Sequence, residues 1–174
     1  MAKIDIRFSA AEISARIDAL AGDIAERLPP DVLLVAVLKG SFVFTADLIR
    51  ALSSRGVDWP MGFITLSSYG AATASSGTVR LTRDLDEDVA GRSLLLVDDI
   101  LESGRTLAFA RDLFLQRGAS RVWLCTLLDK PARRVADIEA DFTGFRIGDE
   151  FVVGYGLDHA HRHRGLPYIG VKTS

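Results

Sequence analysis

The sequence predicts an α/β protein: a mainly parallel, twisted sheet with helices on both faces. Two observations carry this. Short apolar runs alternate along the chain with amphipathic stretches. The runs at 33–38 (LLVAVL), 94–97 (LLLV) and 122–128 (VWLCTLL) are continuous, as strands covered on both faces require. A third observation concerns function. Charged and small residues follow directly on several of these runs, and sheet stability alone does not demand them.

The elements follow in order. Residues 10–27 place Ile13, Ile17, Leu20 and Ile24 on one helical face. Leu33 to Leu38 forms a buried strand. Ser41 is expected to cap a helix that runs through Leu52 and ends near Gly56. Phe63 to Leu66 reads as a strand, and Leu94 to Val97 as a second buried one. Thr106 to Gln116 reads as a helix, with Leu107, Ala110, Leu113 and Phe114 on one face and Gly118 just past its end. Val122 to Leu128 is another strand. Phe151–Val153 and Ile169–Val171 are shorter candidates. In such sheets ligands bind beyond the carboxyl ends of strands. That directs attention to Lys39-Gly40-Ser41, Ser67-Ser68-Tyr69, Asp98-Asp99 and Asp129-Lys130.

The length of 174 residues predicts one domain with a substantial core. A formal net charge of -2 offers no global attraction to nucleic acid or to an anionic membrane. No apolar run approaches the length of a membrane span, and the first residues lack the apolar centre of a secretory signal. Cys125 lies between apolar neighbours and reads as a buried structural thiol. The expected location is a reduced compartment, the cytoplasm.

The stretch VDDILESGRT, residues 97–106, combines two opposed chemistries. Ser103-Gly104-Arg105-Thr106 opens a helix, where free N–H groups and the helix dipole favour a phosphate. Asp98, Asp99 and Glu102 would repel that phosphate if it came alone. They suit a ligand that also carries hydroxyl donors or a bridging divalent cation. A phosphorylated sugar with a second, metal-bound phosphate group meets both conditions. Neither a Walker loop nor a G-x-G-x-x-G fingerprint occurs.

This stretch resembles the signature of the phosphoribosyltransferases, which bind 5-phosphoribosyl-1-diphosphate. Further segments resemble the hypoxanthine-guanine members of that family, in the family's order. They are VLKGSFVFTADLIR (37–50), Ser68-Tyr69, LLDKPARR (127–134) and FVVGYGLDHAHRHRGLPYIGV (151–171). The resemblance covers most of the chain after about residue 33. It implies a type I phosphoribosyltransferase fold with a small hood, built from N-terminal residues and about 130–171. It implies magnesium as cofactor and a homodimer or homotetramer. The reaction it implies is transfer of 5-phosphoribose to N9 of hypoxanthine or guanine.

Residue roles are carried over by the same resemblance. Lys39 and Gly40 would contact diphosphate, with a Leu38–Lys39 peptide bond that can be cis. Asp98 and Asp99 would bind ribose hydroxyls or magnesium. Glu102, Ser103, Gly104, Arg105 and Thr106 would cradle the 5′-phosphate. Glu102 would also be the general base, where the family usually has aspartate. Lys130 would donate to the purine 6-oxo group, Phe151 would stack on the ring, and the Val152 backbone would read its edge. Asp158 would anchor a second magnesium beside the purine, and Arg164 would hold diphosphate. Residues 67–79, with Ser68 and Tyr69, would form a mobile loop over the site.

Plain structural alternatives stand beside these roles. Lys39 could be a solvated loop charge, Lys130 a partner of Asp129, Phe151 a core residue, Asp158 a helix cap and Arg164 a surface charge. His159 and His163, spaced i, i+4 with His161 between them, have the spacing of helical metal ligands. A solvated or interface-facing histidine cluster is the expected reading. Two other functions compete: a nucleotide-sensing RNA-binding regulator on the same fold, and a phosphoribosyltransferase for another base. Lys130 and Phe151 argue against adenine and orotate but not against xanthine.

Overall fold

Successive residues of the central strands point into two different cores. Leu34, Leu95, Val97, Cys125 and Leu127 pack on one side. Leu33, Val35, Leu94, Leu96 and Leu124 pack on the other. This two-sided burial is why the runs read as continuous rather than alternating. The computed structural model describes residues 3–69 and 78–173.

The elements are β1 (Lys3–Phe8), α1 (Ala10–Arg27), β2 (Val32–Leu38), α2 (Phe42–Ser53), β3 (Met61–Tyr69), β4 (Thr78–Arg83), β5 (Ser93–Leu101), α3 (Arg105–Gln116), β6 (Arg121–Asp129), β7 (Phe142–Arg146), β8 (Val152–Val153) and β9 (Ile169–Thr173). A 3-10 turn spans Pro131–Arg133. Six strands form the main sheet in the order β4-β3-β2-β5-β6-β7. All neighbours in it are parallel except the edge pair β3–β4. Helices α1 and α2 cover one face through Ile13, Leu20, Phe44 and Leu48. Helix α3 covers the other through Leu107, Ala110 and Phe114. A separate three-stranded antiparallel sheet, β1-β9-β8, brings the two ends of the chain together.

Three strands went unread in the sequence, each for a physical reason. β4 is a half-exposed edge strand, TVRLTR, whose charges blunt that edge. β7 is short and carries Gly144, where a Cβ would stand 2.4 Å from the Leu127 carbonyl oxygen. β1 exposes Ile6, so its apolar residues do not mark one buried face. The expected loop 67–79 is flanked by paired strands, with Ser67, Ser68 and Tyr69 opposite Arg80, Val79 and Thr78. Its middle, 70–77, lies outside the described residues.

Two further expectations are corrected. Ser41 precedes α2 but makes no side-chain cap. Its hydroxyl donates instead to the Val37 carbonyl at 2.6 Å, inside the protein. Residues 159–163 are not helical. Ala160, His161 and His163 have φ of 50°, 63° and 76°, and His159 bridges to Arg162. The i, i+4 argument for a histidine metal pair therefore has no helix to act on.

Phe114 is fully buried between α3 and the sheet. Phe114→Ala should lower stability by about 3–5 kcal/mol in urea unfolding, the cost of an unfilled aromatic site.

Candidate active site

Strand order places a crevice before any side chain is considered. β2 and β5 are neighbours, and β3 and β6 lie on opposite sides of that pair. Their crossovers therefore diverge, and a crevice opens at the carboxyl ends of β2 and β5. A cleft of about 620 Å³ occupies it. Its walls are Leu38, Lys39 and Gly40 from the end of β2, and residues 98–107 from the end of β5 and the start of α3. The Leu38–Lys39 peptide bond is cis.

Asp98 and Asp99 lie within β5 rather than after it. The strand continues because β6 runs on beside it, pairing Asp98 with Thr126 and Leu101 with Asp129. The Asp99 N–H donates to Asp98 Oδ1 at 2.9 Å, and the Ile100 N–H to Asp99 Oδ1 at 2.8 Å. Burial pushes the Asp98 carboxyl well above the usual range, and the neighbouring Asp99 charge adds to this. Burial raises Asp99 as well, against a lowering contribution from Arg164. Gly40 faces this pair so closely that a Cβ there would fall 1.6 Å from Asp99 Oδ2. With no side chain at residue 40, the Asp99 carboxylate can lie directly against the end of β2.

The turn between β5 and α3 is held from outside. Gly104 takes a left-handed conformation, φ 82°, and caps α3. A Cβ on it would stand 2.5 Å from Ile138 Cγ2 and 2.9 Å from Arg134 Cδ. The glycine thus serves the support behind the turn as well as the cleft before it. Arg134 is the support. Its guanidinium donates to the carbonyls of Glu102 at 3.0 Å, Leu101 at 3.2 Å and Ile138 at 2.6 Å. It also pairs with buried Asp129. The Ser103 carbonyl accepts from the N–H groups of Val135 and Ala136, both at 3.0 Å. Arg105 N–H donates to Ser103 Oγ at 3.4 Å. Thr106 lies in the first turn of α3 and borders the cleft, where helical N–H groups have no intrahelical acceptor.

Lys130 follows β6 and is buried. Its ammonium lies 3.0 Å from Glu102 Oε1 and 3.3 Å from Asp149 Oδ1. Its partner is therefore not Asp129, which is taken by Arg134 and Arg146. Asp149 and Arg134 escaped the sequence reading. Neither belongs to a strand-end run. The contacts that bring each to the site, Arg134 with Leu101 and Glu102 and Asp149 with Lys130, join residues well apart in the chain.

The C-terminal segment closes over the β2 end. A Cβ on Gly156 would stand 2.3 Å from the Gly40 carbonyl oxygen. Arg164 donates to the Gly156 carbonyl at 2.6 Å and pairs with Asp158 at 2.6 Å. It is a partly buried fixture rather than a loose surface charge. Asp158 also accepts from the His161 N–H at 2.8 Å, so it caps a tight turn and not a helix. Among the described residues, no three His, Cys, Asp or Glu side chains group as a metal site. Phe151 is 51% exposed and is not core. Only His159 meets it edge-on, with ring centroids 5.3 Å apart among the described ring pairs. Val152 is buried in β8. Lys39 is exposed at the cleft, and Ser68 and Tyr69 end β3.

The chain belongs to the phosphoribosyltransferase family: the family's sequence model, Phosphoribosyl transferase domain, matches residues 9–160. It is 45% identical over 170 residues to the hypoxanthine phosphoribosyltransferase of Escherichia coli, covering 96% of this chain and 94% of that one. It is 51% identical over 139 residues to the hypoxanthine-guanine phosphoribosyltransferase of Bacillus subtilis, covering 80% and 76%. A solved hypoxanthine-guanine phosphoribosyltransferase from Bacillus anthracis superimposes with a TM-score of 0.88 at 40% identity, covering 99% of both chains. This protein is accordingly a transferase with the type I phosphoribosyltransferase fold.

Gly40→Ala should leave the fold intact but displace Asp99. Steady-state kinetics should show kcat/KM reduced about a hundredfold, the scale of an ångström-sized misplacement in a site.

Proposed function

We propose that the protein transfers 5-phosphoribose from 5-phosphoribosyl-1-diphosphate to N9 of a 6-oxopurine. Hypoxanthine gives inosine monophosphate, guanine gives guanosine monophosphate, and diphosphate leaves. The observation that carries this is the Lys130–Glu102 contact of 3.0 Å. It joins a group suited to read a purine oxygen to the end of the acid-and-phosphate turn. Family membership and the names of the relatives support the same reading.

Magnesium fits the donor set. Asp98 and Asp99 offer adjacent, desolvated carboxylates at the cleft. Magnesium commonly takes one or two carboxylates and completes its shell with substrate phosphates and water. Asp98 and Asp99 would hold it, with Asp158 the candidate for a second ion. Bound there, it would neutralise charge on the departing diphosphate.

The chain's own groups supply the rest. The start of α3 and residues 103–106 bind the 5′-phosphate through N–H and hydroxyl donors. As the C1–oxygen bond breaks, positive charge builds on the ribose, and the nearby carboxylates favour it. Lys39 and Arg164 offset charge on diphosphate. Purine N9 bonds to C1, and Glu102 accepts the proton from N7. Lys130 donates to the 6-oxo oxygen, whereas adenine would present an amino donor there and leave both groups unpaired. Phe151 stacks on the base, and the Val152 backbone reads its edge. Residues 67–79 would cover the site against water, and the β1-β9-β8 sheet with the 130–171 segment would form the hood. A homodimer or homotetramer in the cytoplasm follows from the family resemblance.

A spectrophotometric assay with phosphoribosyl diphosphate and each of hypoxanthine, guanine, xanthine and adenine tests the proposal. Turnover of the first two, and little of adenine, is expected. No turnover of any base, together with tight RNA binding, would overturn it. Glu102→Ala should lower kcat by about a hundredfold or more and weaken phosphoribosyl diphosphate binding far less. Equal losses in both would remove Glu102 as the base.

A further inference from the structure

The Lys130 side chain is only 7% exposed, and its two partners are carboxylates. A buried cation needs such compensation. The two partners cannot serve equally through the reaction proposed above. When Glu102 accepts the N7 proton it becomes neutral, and the purine oxygen that accepts from Lys130 is neutral too. One anion, on Asp149, is left facing the ammonium. We infer that Asp149 is the positioning residue that holds Lys130 in the purine pocket while Glu102 turns to the base.

This inference rests on the proposed reaction, and local geometry supports it. Asp149 lies on the short connection from β7 to Phe151, the proposed stacking residue. The backbones on both sides are pinned. The Ile147 N–H donates to the Asp129 carbonyl at 2.9 Å, and the Lys130 N–H to the Leu101 carbonyl at 2.9 Å. The two charges are therefore brought together by anchored loops, which limits the entropy lost in holding the pair. Arg133 donates to the same Asp149 oxygen at 2.6 Å. Together with Lys130 it keeps that carboxyl below the usual range. Arg133 also supplies the competing account, in which Asp149 only staples the Pro131–Arg133 turn.

Steady-state kinetics and thermal unfolding of Asp149→Asn, Asp149→Glu and Arg133→Ala in the full chain separate the two accounts. Asp149→Asn keeps the shape and removes the charge. Its KM for hypoxanthine should rise about tenfold or more, as for loss of a charged hydrogen bond. Its KM for phosphoribosyl diphosphate should stay within about twofold. Asp149→Glu should recover most of the loss, and Arg133→Ala should leave the hypoxanthine KM within about twofold. The inference is overturned by an unchanged hypoxanthine KM in Asp149→Asn. It is also overturned if Arg133→Ala reproduces the effect, or if both KM values rise together with a lower Tm. Wild-type protein that turns over no 6-oxopurine would instead sink the proposed function. In that event, calorimetry with inosine monophosphate still decides Asp149. Weaker binding in Asp149→Asn supports its role, whereas equal binding, or none even in the wild type, removes it.

Discussion

The ion pair between buried Asp129 and partly buried Arg134 is the constraint on which the site depends. Asp129 ends β6 and Arg134 follows the 3-10 turn, so the pair ties the sheet to the segment beyond it. The same guanidinium holds the carbonyls of Leu101 and Glu102. A helix-opening turn has carbonyls and N–H groups that are hard to satisfy together. Here the carbonyls are met from behind, which leaves the N–H side of α3 to face the cleft. With Asp129 buried and Arg134 largely so, the pair is costly to break from either side. It orders the cradle before any ligand arrives.

On that frame the cleft holds electrostatic stress at one place. Asp98 and Asp99 are adjacent, desolvated and raised in pKa. Nothing in the core requires two acids there. A cation and hydroxyl donors would relieve the pair. The opposite arrangement holds at Lys130, where one buried cation has two carboxylates. The sugar side thus presents two adjacent carboxylates with Lys39 and Arg164 nearby. On the purine side Lys130 and Arg133 face Glu102 and Asp149, and Lys130 can exchange one partner for another.

Much of this was legible in the chain. The continuous apolar runs marked the buried strands, and residues just after them included Lys39, Gly40, Asp98, Asp99 and Lys130. The parts that misled were local rules overruled by tertiary contacts. Ser41 has the right type and place for a helix cap, yet its hydroxyl is used by Val37. His159 and His163 have helical spacing, yet left-handed residues between them form a tight turn. β4 and β7 carry too few buried residues to show a period.

The sequence by itself determined the alternation of strands and helices, the acid-rich turn and the order of the segments that resemble the family. These depend on residue type and short-range spacing, and both are written in the chain. Only the tertiary structure decided which charges meet. It paired Lys130 with Glu102 and Asp149 instead of its neighbour Asp129, and set Arg134 behind the turn. Those contacts join residues from separate loops, and the sheet order that brings the loops together cannot be read from local spacing.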